Sequence, residues 1–116
     1  QLTHDHSYVQ ELVDCGTITE EEAEHHPQKN IITRALGVDY RLEPEVTSVQ
    51  LQAKDLLLLC SDGLTGMAED SRIAEVLANA PTLELAGDAL LQLALDGGGR
   101  DNITVALFTL GKKQGA

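Results

Sequence analysis

The five consecutive apolar residues Leu56-Leu57-Leu58-Leu59-Cys60 constrain the fold of this chain more than any other feature. A polar turn, Gln52-Ala53-Lys54-Asp55, precedes them and Ser61-Asp62-Gly63 follows. A run so short and so bordered has the length of a strand and not of a helix. Because it lacks polar alternation, it puts apolar side chains on both faces of a sheet, and each face needs a cover. The expectation is a strand buried on both sides, with a glycine-containing polar loop opening at its end.

The segments around it can be placed in turn. Val9, Leu12 and Val13 fall at helical spacing between Asp5 and Val13, with Gly16 as a stop. Thr19 and Glu22 have the spacing of a capping box, and Pro27 ends the short acidic helix that follows by about His26. Asn30 to Gly37 is too short to classify by period. Val46 to Leu51 has a strand composition, with Thr47, Val49 and Leu51 on one face. Asp70 or Ser71 opens a helix carrying Ile73, Val76, Leu77 and Ala80, and Thr82 caps a second one running to Gly97-Gly98-Gly99. Gly87 weakens that second helix by about 1 kcal/mol relative to Ala. Ile103 to Leu110 reads as a last strand, and 111–116 as a polar tail.

The balance of 8 Lys+Arg against 19 Asp+Glu, a net charge of −11, argues against nucleic acid as a partner, since phosphate binding rests on basic side chains. The same surface suits divalent cations, whose sites are built from Asp and Glu. No apolar run reaches the length of a membrane span, so no membrane role is expected. Cys15 and Cys60 form neither a CxxC pair nor a zinc spacing and read as reduced thiols of a cytoplasmic protein. The chain is long enough for one domain, with 42% hydrophobic residues to fill a core.

Two loops could carry chemistry, and they share a layout. Ser61-Asp62-Gly63-Leu64 follows the apolar strand, and Gly98-Gly99-Arg100-Asp101-Asn102 precedes the last one. If the two strands pair antiparallel, the end of the first lies beside the start of the second, and Asp62 and Asp101 converge. Two close carboxylates repel unless a cation or proton lies between them. An Asp–Gly turn and an Asx-turn explain the same residues without any ligand, and spacing alone leaves both readings open. The histidines are set aside here: His4 and His6 lie two apart and His25 and His26 are adjacent, so neither pair has the i,i+4 spacing of a helical metal pair. Cys60 has no local histidine and reads as an inert thiol.

Taken together, five blocks resemble a family in its own order. Leu2-Thr3-His4-Asp5-His6-Ser7 with Val9-Gln10-Glu11-Leu12, then Gly16-Thr17-Ile18-Thr19-Glu20-Glu21-Glu22-Ala23 with His26-Pro27-Gln28-Lys29-Asn30, then Ile31 to Gly37, are similar to bacterial PP2C-type (PPM) serine/threonine phosphatases. Leu57 to Thr65 and Gly98 to Val105 resemble the family's last two motifs. The resemblance implies an α+β fold, part of an αββα sandwich of antiparallel sheets flanked by helical pairs, incomplete in this chain and covering residues 1–110.

It also implies a binuclear Mn²⁺ or Mg²⁺ centre with Asp62 and Asp101 as ligands of one ion, and Ser61, Gly63 and Asn102 in support. The implied reaction is hydrolysis of phosphoserine or phosphothreonine in a phosphoprotein, without a phosphoenzyme. The family's earlier motifs have no counterpart here: the Asp-Gly pair that bridges both ions, the phosphate-holding Arg and the acidic His. The expectation is thus a C-terminal half-domain, inactive alone, whose partner is its missing N-terminal half or a second copy of the chain. A noncatalytic half-domain serving binding or assembly is the alternative. A receiver-like or haloacid-dehalogenase-like reading of Asp62-Gly63-Leu64-Thr65 fails, because Cys60 stands where an acidic partner is needed.

Overall fold

The structure is a computed structural model describing residues 1–111; the rest of the expected polar tail lies outside the described residues. Two compact units succeed one another, Gln1–Val49 and Gln50–Ala116.

In the first unit, helix α1 (Tyr8–Asp14) begins at Ser7, whose hydroxyl accepts from the Gln10 N–H at 3.2 Å. It ends in a Schellman arrangement: Gly16 N–H reaches Val13 O at 3.0 Å and Thr17 N–H reaches Leu12 O at 2.9 Å. Gly16 has φ 78, the left-handed conformation that the closing turn requires. Helix α2 (Glu20–Glu24) carries the capping box, with Thr19 and Glu22 exchanging side-chain and backbone bonds at 3.1 and 3.2 Å. Ser7 forms an antiparallel bridge with Ile32, flanked by Tyr8 N–H to Ile31 O at 3.0 Å and Thr33 N–H to His6 O at 2.8 Å.

The strand expected over Val46–Leu51 does not form. Strand structure requires a neighbouring chain to complete its ladder, and no described segment pairs with this one. Val46 and Val49 stand 85% and 54% exposed.

In the second unit, Gln52–Asp55 closes as the expected turn: Gln52 N–H donates to the Asp55 carboxylate at 2.9 Å and Asp55 N–H returns to Gln52 O at 3.1 Å. Strand β1 (Leu56–Cys60) pairs antiparallel with β2 (Val105–Thr109), with Leu58 opposite Leu107 and Cys60 opposite Val105. Between them lie α3 (Asp62–Thr65), α4 (Asp70–Asn79) and α5 (Leu83–Asp96). Thr82 caps α5, accepting from Leu85 N–H at 3.1 Å. The N-cap of α4 is Glu69, not Asp70 or Ser71 as expected.

Leu64, Ile73, Leu90 and Ala94 form the buried core, and Leu58, Val105 and Leu107 bring one face of the sheet onto it. On the other face Leu57 is partly buried, while Leu59 and Phe108 stand 56% and 48% exposed. The expectation that β1 is buried on both faces is therefore corrected. The described residues of the second unit supply one helical layer and two strands, and an exposed apolar sheet face calls for a second layer.

Candidate metal centre

Because Cys60 pairs with Val105, the loop leaving β1 meets the loop entering β2, as the antiparallel reading requires. Ser61 fastens the two. Its N–H donates to Thr104 O at 3.0 Å, while its hydroxyl accepts from Thr104 N–H at 3.1 Å and donates to Asn102 O at 3.3 Å. Gly63 completes the contact: a Cβ there would run into the Asn102 carbonyl, so only glycine lets α3 sit so close. Leu64, fully buried, anchors α3 in the core directly behind.

Ser61, Gly63 and Asn102 are thus in direct contact, and Asp62 and Asp101 are their immediate neighbours on the two joined loops. Both aspartates are exposed. Asp62 is the first residue of α3. The Asp101 carboxylate accepts from Asn102 N–H through Oδ1 at 2.7 Å, leaving Oδ2 for another partner. Among the described ion pairs, none engages Asp62 or Asp101. Two carboxylates without basic partners, one held by a backbone N–H, match the oxygen donors that Mn²⁺ and Mg²⁺ prefer. At the adjoining Cys60, burial pushes the thiol up, and the Asp70 charge adds to it. That disfavours a thiolate nucleophile there.

The comparisons decide the family. The profile of the stage II sporulation protein E (SpoIIE) family matches residues 15–110. The chain is 48% identical over 107 residues to the serine/threonine phosphatase stp of Listeria monocytogenes, covering 92% of this chain and 42% of that protein. It superposes on the crystal structure of serine/threonine phosphatase Stp1 from Staphylococcus aureus with a TM-score of 0.91 at 47% identity, covering 96% of this chain and 44% of that one.

The chain belongs to the SpoIIE/PP2C-type (PPM) phosphatase family.

Within this phosphatase family the likeness extends to the catalytic domain of the serine/threonine phosphatase PstP in complex with two manganese ions, at TM-score 0.79 and 43% identity, covering 92% of this chain and 43% of that one. The chain spans under half the length of the relatives it matches. Its fold is accordingly part of a PPM domain.

One cluster escaped the sequence. In the first unit, His4, His6 and Glu45 each offer a donor atom, all within 4.8 Å of one another. His6 Nε2 lies 3.4 Å from the Glu45 carboxylate, and His4 Nε2 lies 2.9 Å from Asp14 Oδ2. A two-residue His spacing and a partner some forty positions away leave no periodic signal; the contacts around it are non-local, the Ser7–Ile32 bridge and the Arg34 bond to Glu43 O. No helix among the described residues is long and apolar enough to cross a membrane.

Proposed function

We propose that this chain forms the C-terminal part of the catalytic domain of a metal-dependent protein serine/threonine phosphatase, with Asp62 and Asp101 as carboxylate ligands of Mn²⁺ or Mg²⁺. The observation that carries the reading is the Ser61 knot, which ties the loops bearing the two aspartates with three hydrogen bonds. The manganese in a structural relative and the phosphatase names of the curated relatives support it.

Bound Mn²⁺ or Mg²⁺ would supply Lewis acidity, activating water and offsetting charge on the phosphoryl oxygens of a phosphoserine or phosphothreonine substrate. This chain's residues hold and orient. Asn102 N–H fixes one oxygen of Asp101 and so presents the other. Ser61 keeps the Asp62 loop in register with it, and Gly63 permits the close approach. The remaining ligands and the phosphate-holding groups come from the part of the domain that precedes this one in its relatives. That N-terminal half is the partner, and the phosphoprotein the substrate.

The experiment joins this chain to the N-terminal half of a family relative and follows phosphate release from a phosphothreonine peptide. The joined domain should be active with Mn²⁺, lose activity with a chelator and regain it on re-addition, while the chain alone releases none. Chelator-insensitive turnover, or turnover by the chain alone, would contradict the proposal.

A further inference from the structure

We infer that His4, His6 and Glu45 form a second cation site, selective for a Zn²⁺-class transition ion and distinct in chemistry from the carboxylate centre at Asp62 and Asp101. Two imidazoles and one carboxylate suit Zn²⁺, Co²⁺ or Ni²⁺, whereas Mg²⁺ prefers all-oxygen ligands. The three donors already lie within 4.8 Å of one another. Tetrahedral zinc with bonds of about 2.1 Å needs donors about 3.4 Å apart. The exposed Glu45 carboxylate, its side chain 41% accessible, can move in by side-chain rotation while Asp14 keeps His4 in place.

The backbone holds the cluster together independently of any ion. Thr33 N–H donates to His6 O at 2.8 Å, which fixes the His6 backbone beside residues 31–33. The neighbouring Arg34 guanidinium donates to Glu43 O at 2.9 Å and so draws in the segment carrying Glu45.

A second observation points to a ligand. Asp14 Oδ2 sits 2.9 Å from His4 Nε2, while Gln10 donates to Asp14 Oδ1 at 2.9 Å and holds that carboxylate in place. An Nε2–H donated to Asp14 leaves the lone pair of His4 on Nδ1, free for a metal. A histidine oriented by a carboxylate in this way is the usual partner arrangement of metal-binding imidazoles. Gln1–Val49 also carries ten acidic residues against three basic ones, a field that concentrates cations.

The test uses the whole chain with Cys15→Ser and Cys60→Ser, so that thiols cannot bind zinc, in excess Mg²⁺. Calorimetric titration should show one Zn²⁺ per chain. His6→Asn or Glu45→Gln should weaken binding at least tenfold. Asp14→Asn, which removes a positioning residue and no ligand, should weaken it about 10–100-fold. Asp62→Asn and Asp101→Asn should leave it unchanged. On the thiol-free chain with all four histidines intact, ¹⁵N spectra of the imidazoles should shift at His4 and His6 on Zn²⁺ addition and not at His25 or His26. Absence of stoichiometric uptake, binding indifferent to His6→Asn and Glu45→Gln, or equal shifts at all four histidines would overturn the inference.

Discussion

Ser61 and Thr104 are joined twice, by Ser61 N–H to Thr104 O at 3.0 Å and by Thr104 N–H to the Ser61 hydroxyl at 3.1 Å, across 43 residues of sequence. The pair extends the β1–β2 ladder one step past Cys60 and Val105 with a side chain standing in for a backbone carbonyl. It is the step at which the two aspartate-bearing loops diverge from the sheet. Ser61→Ala should leave the Thr104 N–H without its acceptor and cost about 1 kcal/mol, read as a lowered denaturant midpoint with an unchanged slope. An unaltered midpoint would show that the hydroxyl holds nothing.

Two glycines in helices should respond in opposite directions. Gly63→Ala drives a methyl into the Asn102 carbonyl and should destabilise the second unit by about 1–3 kcal/mol. Gly87→Ala, inside α5 with nothing within 4 Å of the added carbon, should stabilise by about 0.5–1 kcal/mol. Thermal melts of both variants check the contrast, and equal shifts would contradict the close approach at Gly63.

How far the sequence disclosed these features depends on whether their causes are local. Thr19 and Glu22 announce their capping box, Thr82 its helix, and Gly16 its stop, because each acts within four residues. The β1 and β2 segments are legible from their turn borders, and their antiparallel pairing is the one the convergence of the Asp62 and Asp101 loops requires. Val46–Leu51 has the residues of a strand but no described neighbour to complete a ladder. The apolar run Leu56–Cys60 signals two covered faces, and Leu59 on one of them stands 56% exposed. Helix α3 has no signature in the sequence, since Asp62-Gly63-Leu64-Thr65 is too short to show a period. His6 and Glu45 come within 3.4 Å of each other across 39 residues, a contact between distant segments that no local pattern encodes.

Cys15 should react as an acidic thiol. Its sulfur lies 3.0 Å from the Thr17 hydroxyl, and this hydrogen bond, with a further one from the Thr17 backbone, pulls the thiol below its ordinary value. A lowered value means the thiolate, the reactive form, is reached at lower pH in the folded chain than in urea. Alkylation rates at Cys15, followed by mass spectrometry across a pH series, should reach half-maximum at lower pH when folded. Coincident profiles would show that the Thr17 contact does not persist in solution.

The uncovered sheet face should make the isolated chain associate. Leu59 and Phe108 are 56% and 48% exposed beside Leu57 on one surface, and apolar patches of this kind recruit other chains. Light scattering should report oligomers for the chain alone and a smaller species for Phe108→Lys. A monomer at all concentrations would mean that this face needs no cover.

If Asp62 and Asp101 hold one metal ion of a protein phosphatase, removing either carboxylate should empty that site. In the domain assembled from this chain and an N-terminal half, Mn²⁺-dependent phosphate release from a phosphothreonine peptide should fall by at least a hundredfold, about 2.7 kcal/mol in transition-state stabilisation, for Asp62→Asn and for Asp101→Asn. Circular dichroism should be unchanged in both. Near-normal turnover by either variant, with the same dependence on Mn²⁺, would contradict the assignment.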